Sequence, residues 1–499
     1  MSGVIARQSF WASIVNYSGS LVGLFTTFYL FPLVYTKAEN GIIGLFIEMG
    51  ALLAGVAQLG TGYSIWKFFP QLKNDKGHHG AGFWLIAIPL TGFFIISIAL
   101  LFFQSPIMHY FGKNSIAFQP YYYWLLPFIF FFVFNIVFEV FSASIGSIIF
   151  ASFLRENVVR LLLGLVGYCY YLNYFGFDLV IYLIPLIYGI TAMLNLTYIL
   201  KNTLISFKPD FYFVRNQPNL KADFSKYTGY LFLTSVANLL VQRIDIVMIS
   251  SMATFDDTGV YRIALMMSVL IEIPTRSILQ ISNPKLSEAI HKNDIIEVER
   301  LYKKTSLNQF ILGCMALLCI WVNIDLFFEL MPNGEKYIGA KYAVLFLGIG
   351  KLFVLLQGNS SAMLTFSKKY YLSLLVNFGA VFLGIMFNNY AIPKWGLEGA
   401  SVATACTWLA SGFITAILIW KIYKMNPLTL QILYAASLFA LLFGVNDLLQ
   451  NNFNINHIVF GGLKTILIMG LSVIGIYYFN LSDDVKSMLQ KMLKLKVKQ

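Results

Sequence analysis

Fourteen apolar stretches divide this chain of 499 residues, and its basic residues are concentrated in every second gap between them. A transmembrane helix needs about 20 predominantly apolar residues, and most of the stretches reach that length. The composition, 58% hydrophobic and 12% charged, agrees with a membrane protein. We therefore predict an all-α integral membrane protein with about 14 transmembrane helices. The stretches lie near residues 9–31, 42–66, 81–103, 121–142, 148–170, 179–200, 228–250, 259–281, 306–328, 342–366, 371–390, 399–420, 428–446 and 458–480.

The distribution of Lys and Arg predicts the orientation of these helices. Of the 35 basic residues, 23 lie in gaps on the side of the N-terminus, five on the other side and seven inside the stretches. Because cytoplasmic loops carry the excess of Lys and Arg, we expect both termini in the cytoplasm. The net charge of +12 is then a consequence of topology, and we expect no nucleic-acid partner.

The chain is organised as two similar halves. An acidic residue accompanies a turn glycine at Gly41 and Gly176, and again at Gly259 and Gly396, with spacings of 135 and 137 residues. Six helices in each half would insert in the same orientation. We predict an N-terminal lobe over 1–208, a cytoplasmic linker over 209–227, a C-terminal lobe over 228–425, two appended helices over 426–482 and a basic cytoplasmic tail over 483–499.

Two basic segments combine apolar residues at helical spacing with lysines. Over 284–305 we predict an amphipathic helix at the membrane surface, attracted to anionic lipid, with an ordinary structured loop as the alternative. The tail repeats this pattern over 485–493.

Seven basic residues inside the stretches need another explanation, because a basic residue at the bilayer centre costs about 2.5–3.5 kcal/mol. Glu272 and Arg276 have the i, i+4 spacing of an intrahelical ion pair, and Arg262 lies near the outer interface, where it can snorkel. Lys464 is expected to pack an appended helix against the core. The seven are Arg155, Arg160, Arg243, Arg262, Arg276, Lys351 and Lys464.

The remaining cations point to an anionic cargo. Arg155, Arg160, Arg243 and Lys351, with Arg276 as a further candidate, are predicted to bind it in a cavity between the two lobes. The planar guanidinium of Arg stays charged when desolvated and bonds phosphate bidentately. Residues five apart diverge by about 140° on an α-helix, so Arg155 and Arg160 need not share a partner, although Glu156 and Arg160 have the i, i+4 spacing of an intrahelical pair.

Three intramembrane acids, Asp245, Glu48 and Glu272, are candidates for coupling or gating. Asp245 has no cation on its own helix face and needs a distant partner, a proton or a coupling ion. The sequence leaves H⁺ and Na⁺ open as coupling ions. We expect no cofactor, no metal site and no disulfide, since the four cysteines lie within apolar stretches and no ligand spacing surrounds the histidines.

Three motifs carry a resemblance that extends over nearly the whole chain. The chain resembles the bacterial polysaccharide-repeat-unit flippases of the MOP (multidrug/oligosaccharidyl-lipid/polysaccharide) superfamily. The motifs are Gly60-Thr61-Gly62-Tyr63 with Phe68-Phe69-Pro70; Arg243-Ile244-Asp245 with Gly259-Val260-Tyr261-Arg262-Ile263-Ala264; and Gly396-Leu397-Glu398-Gly399-Ala400-Ser401-Val402-Ala403-Thr404.

This resemblance implies two V-shaped lobes in the bacterial inner membrane that work by alternating access. The implied cargo is an undecaprenyl-diphosphate-linked oligosaccharide, moved from the cytoplasmic to the periplasmic leaflet for surface polysaccharide biosynthesis. The implied partners are this lipid-linked oligosaccharide, membrane lipids, a polysaccharide polymerase and glycosyltransferases.

Two alternatives remain open. A cation-coupled multidrug exporter of the same fold would usually have twelve helices and an acidic cavity, against the fourteen stretches and the basic residues here. A membrane polysaccharide polymerase or ligase would need catalytic groups in a large outer loop. No paired carboxylates share such a loop, so general acid–base chemistry has no site, and we expect a protein that is not an enzyme.

Overall fold

Every regular element in the described part of the chain is a helix. The computed structural model describes residues 14–16, 18–61, 81–144, 148–202, 208, 218–367, 369, 371–450 and 457–482. The motif Phe68-Phe69-Pro70, residues 209–217 of the predicted linker and the basic tail over 483–499 lie outside these residues.

The chain divides into two compact units, Met1–Gly259 and Val260–Gln499. This division falls beyond the predicted linker and places the seventh helix with the first unit. The predicted lobe boundaries stay a prediction.

Seven long helices make up the first unit, and α8 begins at its end. Between α3 and α4 the chain runs through short helical segments, Gln104–Phe111 and Gln119–Trp124 among them. The long helices are α1 (Ile14–Val34), α2 (Lys37–Ala57), α3 (Ala81–Phe102), α4 (Leu125–Ser144), α5 (148–171), α6 (Phe177–Asn202) and α7 (Pro218–Met252).

The core of the first unit lies between α2, α4 and α6. Phe46, Phe128, Ile129 and Ile181 are fully buried there. In contrast, α3 carries no charged residue and turns large apolar side chains such as Phe94 outward. A helix that is apolar all round suits a lipid environment.

The helices α2 and α8 begin in the same way. The Thr36 hydroxyl accepts from the Glu39 N–H at 3.2 Å, while the Glu39 carboxylate accepts from the Thr36 N–H at 2.8 Å. Thr254 and Asp257 repeat both bonds, at 3.1 and 3.2 Å. Such capping boxes satisfy free N–H groups at a helix start. Gly41 and Gly259 follow at the same offset, in agreement with the predicted internal repeat.

The second unit contains the rest of α8 and six further spanning helices. Two helices are bent, by 42° in α8 and 47° in α10. Gly396, with φ 52°, separates α11 from α12. The helices are α8 (Phe255–Leu270 and Ile273–His291), α9 (Ile295–Val322), α10 (Ala340–Leu356 and Ser360–Phe366), α11 (371–395), α12 (397–423), α13 (Leu430–Gln450) and α14 (His457–Tyr478).

By length and apolar composition, 10 described helices can cross a membrane, or 12 if each bent pair is one span. Two further helices appear when Tyr371–Tyr423 is divided at Gly396 and the continuous helix over 148–171 is included. Each of the fourteen predicted stretches then has its own helix within the described residues. The all-α membrane fold is therefore confirmed.

The prediction of one surface helix over 284–305 is wrong in two respects. Residues 284–291 end α8, a turn follows, and α9 begins at Ile295. The apolar residues that suggested a lipid-facing stripe, Leu286, Ala289, Val298 and Leu301, are buried against α10 and α12 inside the second unit. Helical periodicity identifies an apolar face but not whether lipid or protein covers it.

Candidate functional site

The predicted site residues lie on five helices. In the first unit, Glu48 is on α2, Arg155 and Arg160 are on α5, and Arg243 and Asp245 are on α7. In the second unit, Glu272 and Arg276 lie at the bend and in the second half of α8, and Lys351 is on α10.

Arg243 and Glu48 form an ion pair between α7 and α2. Each side chain is 26% exposed, so the pair is shielded from bulk solvent yet reachable. The Arg243 Nε is buried and has no hydrogen-bond partner among the described residues. The two helices pack closely beside the pair, since a Cβ at Gly55 of α2 would contact Leu239 of α7. This close packing brings together two charges that are 195 positions apart.

Asp245 is 3% exposed, two residues beyond Arg243 on α7. Its Oδ1 accepts a hydrogen bond from the Ile246 N–H at 2.8 Å. Burial of a carboxylate is costly unless hydrogen bonds or cations stabilise it. Its predicted role in coupling stays a prediction.

Arg155 and Arg160 belong to one chain of ion pairs that starts at Glu139 of α4. Arg155 contacts Glu139 through Nη1 and Glu156 through Nε at 2.9 Å. Arg160 Nη2 contacts the other oxygen of Glu156 at 2.8 Å, and its Nη1 donates to the Gly19 carbonyl of α1. The two arginines and two glutamates therefore compensate each other's charge.

A π-helical turn over Leu154–Val158 contains Arg155 and Glu156. Arg155 contacts its chain neighbour Glu156, and Arg160 contacts the same glutamate at the i, i+4 spacing. The divergence of about 140° assumed 3.6 residues per turn, whereas a π-turn bonds each residue to the fifth one along and so brings side chains five apart closer to one side of the helix. This turn could not be predicted from the sequence, because π-helices have no residue pattern as distinct as a cap or a proline.

Helix α1 approaches this charged segment of α5 through glycines and polar residues. A Cβ at Gly19 would contact Glu156, and one at Gly23 would contact Arg160. Asn157 accepts from the Ser18 hydroxyl and donates to the Val15 carbonyl, both at 3.1 Å. Sequence reasoning missed these residues, since a small or neutral side chain within an apolar stretch carries no charge signal.

In the second unit Lys351 donates to Glu272 at 2.5 Å. Its Nζ also lies 4.2 Å from the centre of the Trp408 ring of α12, a cation–π contact. The exposed fractions are 14% for Lys351 and 24% for Glu272. Trp408 was not predicted as a partner of Lys351, because the two residues lie on different helices and far apart in the sequence.

The predicted pair of Glu272 with Arg276 is not formed. Glu272 lies in the turn that interrupts α8, at the N-cap of its second half. The two residues keep the i, i+4 spacing of a helical turn, since the Arg276 N–H donates to the Glu272 carbonyl at 3.2 Å, so only the side chains are apart. Glu272 contacts Lys351 instead, while Arg276 is exposed.

Lys464 is 7% exposed and packs on α14 beside Phe460, with its Nζ 5.9 Å from the ring centre. The neighbouring Thr465 hydroxyl donates to Asn323 after α9 at 2.9 Å. This arrangement agrees with the expected packing of an appended helix against α9. Within the described residues, no group of three or more His, Cys, Asp or Glu is arranged to hold a metal ion.

Each unit therefore holds an intramembrane cation against a glutamate of another helix, Arg155 with Glu139 and Arg243 with Glu48 in the first unit and Lys351 with Glu272 in the second. An anionic ligand of these cations would compete with the carboxylates that they already contact.

The fold is similar to that of two groups of solved membrane proteins. A lipid II flippase MurJ in an inward closed conformation has a TM-score of 0.74 and 12% sequence identity, covering 94% of this chain and 99% of its own. An inward-facing multidrug resistance MATE family transporter of the MOP superfamily has a TM-score of 0.63 and 16% identity, covering 82% and 98%. An outward-facing structure of a multidrug resistance MATE family transporter has a TM-score of 0.56 and 16% sequence identity, and the match covers 84% of this chain and 95% of the transporter.

No family model and no curated protein sequence matches this chain. At 12–16% identity the likeness shows the fold alone. The chain has the all-α fold that MurJ and the MATE transporters share.

Proposed function

We propose that this multi-pass membrane protein flips an undecaprenyl-diphosphate-linked oligosaccharide repeat unit from the cytoplasmic to the periplasmic leaflet. The single observation that carries the proposal is the set of intramembrane cations held by carboxylates: the half-buried Arg160, Arg243 and Lys351, and the more exposed Arg155. A diphosphate is the part of such a cargo that these cations fit.

The extent of the structural likeness also supports a flippase. MurJ, a lipid II flippase by its printed name, covers 94% of this chain, while the inward-facing MATE transporter covers 82%. A match over 94% of the chain is long enough to include α13 and α14. These two helices pack against α9 through Ile311, Ala435 and Ile468. Two extra helices beside the lobes would offer surface to a long prenyl chain.

In the proposed cycle the sugar and diphosphate enter the protein while the prenyl tail stays in lipid, and alternating access carries the head group across. Asp245, Glu48 and Glu272 would couple this movement to H⁺ or Na⁺. No bond in the cargo is broken, so the proposed activity is transport and not catalysis. We place the protein in the bacterial inner membrane with both termini cytoplasmic, beside the glycosyltransferases that build the cargo and a polymerase that uses it.

Replacement of Arg243 or Lys351 by Ala is expected to reduce surface polysaccharide at least about tenfold, because a charge-assisted contact to phosphate is worth roughly 1.5–3 kcal/mol. The measurement is polysaccharide export in cells whose own flippase is deleted, with the amount of membrane-inserted protein determined in parallel. Lys336→Ala, at an exposed loop position, is the matched control. Normal export by both variants contradicts the proposal.

A multidrug exporter is the second candidate, supported by the likeness to MATE transporters and by the buried acid Asp245. The same strains distinguish the two functions. Cells lacking their own drug pumps should gain no resistance from this protein, whereas an exporter would raise resistance and leave polysaccharide unchanged.

A further inference from the structure

One arrangement recurs in both units. A cation on one helix contacts a glutamate on another, as Lys351 of α10 does with Glu272 of α8 and Arg243 of α7 with Glu48 of α2. In each pair both side chains keep an exposed fraction between 14% and 26%. A ligand can therefore reach them without unfolding the unit.

An anion that enters either pair must displace the glutamate. The attraction within such a pair is larger than at a fully solvated surface, because the local dielectric constant is lower. A ligand with one negative charge replaces one ion pair by another and leaves the glutamate charged, partly buried and without its cation. Leaving such a charge unpaired is costly, so exchange for a monoanion is unfavourable.

A ligand with two adjacent anionic groups changes this balance. Its second phosphate can use cation donors that the glutamate leaves free. Among the described residues the Lys351 Nζ has one hydrogen bond, to Glu272, and an ammonium has three donors. The extra charge and the extra bonds offset the loss of the original pair.

Trp408 keeps Lys351 in position during the exchange. Its ring lies 4.2 Å from the Nζ, and the cation–π attraction persists whether the partner is a carboxylate or a phosphate. Trp408 is thus a positioning residue, and Glu272 is the group that sets which anion is accepted.

We propose that Glu272 is a specificity-determining residue that competes with the cargo for Lys351, so that a diphosphate carrier displaces it and a carrier with a single phosphodiester does not. The inference rests on the proposed function, since it presumes a prenyl-linked anionic cargo. Rejection of a wrong ligand by an internal competitor is a general route to specificity.

The experiment compares two probes on the full-length protein in nanodiscs of neutral phosphatidylcholine. One probe is a farnesyl-diphosphate-linked sugar, the other a farnesyl-phosphate-linked sugar with a single phosphodiester. For the wild type we expect dissociation constants that favour the diphosphate by about tenfold or more. For Glu272→Gln we expect this preference to fall to about threefold or less, through tighter binding of the phosphodiester.

Three further variants make the result decisive. Glu335→Gln, an exposed acid of the same unit, should keep the wild-type preference. Glu48→Gln tests whether the equivalent pair in the first unit behaves in the same way, and Glu272→Ala carries the test if Glu272→Gln does not fold. A wild type that binds the diphosphate probe while the folded Glu272 variant keeps the wild-type preference overturns this inference alone. If the wild type binds neither probe, the proposed function and the inference fall together.

Discussion

At the scale of single residues, the site consists of charges that satisfy each other. Arg243 with Glu48 and Lys351 with Glu272 show why charged residues are tolerated in apolar helices: each finds an opposite charge on a neighbouring helix. Desolvation of an ion costs more than a surface pair returns, but removal of one partner from a shielded pair costs more still. The pairs therefore hold the helices in one arrangement while remaining open to exchange.

This balance gives a prediction for the pair of Glu48 and Arg243. A double-mutant cycle with Glu48→Gln and Arg243→Gln should show a coupling energy of about 1–3 kcal/mol, between the values typical of surface and buried pairs. The measurement is unfolding of the purified protein in detergent. Glu288 and Lys292, whose side chains are 64% and 67% exposed, form the control cycle and should show no measurable coupling. Equal coupling in both cycles would refute the shielding argument.

The charged residues of the site could be found from the sequence, but most of their partners could not. Arg155, Arg160, Arg243 and Lys351 stand out because a basic residue inside an apolar stretch is costly. Only the ion pair of Arg160 with Glu156 follows from the sequence, because it has the i, i+4 spacing. Spacing rules apply within one helix, so they do not predict partners on other helices, such as Trp408 for Lys351.

At the scale of elements, departures from regular α-helix position the site. The π-helical turn of α5 contains Arg155 and Glu156 and directly precedes Arg160, and Glu272 lies at the bend of α8, in contact with Lys351. Helix existence followed from apolar runs of membrane-spanning length. The bend of α8 has a signal in the sequence, Pro274 in the first turn after the break, since proline disrupts a continuous helix. The π-turn has no comparable residue pattern.

Close helix packing in the first unit can be tested at Gly41. A Cβ there would contact the Phe255 carbonyl, while Gly379 of α11 has open space around it. Gly41→Ala should lower the free energy of unfolding by about 1–3 kcal/mol through overpacking. Gly379→Ala should be neutral or stabilising by up to about 1 kcal/mol, because Ala has the higher helix propensity. Thermal unfolding of the two variants, measured side by side, tests this prediction. If Gly41→Ala unfolds at the wild-type temperature, the close approach of Gly41 to the Phe255 carbonyl is contradicted.

At the scale of the whole molecule, the helices of the structure lie where the sequence predicts membrane-spanning stretches. The gaps rich in Lys and Arg therefore alternate with the other gaps between these helices. The helices between Lys113 and Lys292 are α4 to α8. That is an odd number if the bent α8 crosses the membrane once. The two lysines should then lie on opposite sides, with Lys292 in the cytoplasm according to the positive-inside rule. A re-entrant α8 would instead put both on the same side.

Cysteine labelling tests this topology. In a background with the four native cysteines replaced, Lys113→Cys and Lys292→Cys each place a thiol at an exposed position. A membrane-impermeant maleimide should label position 113 in cells with a permeabilised outer membrane, and position 292 only in inverted inner-membrane vesicles. Labelling of both positions from one side would contradict a single crossing by α8, and with it the even number of helices that places both termini in the cytoplasm.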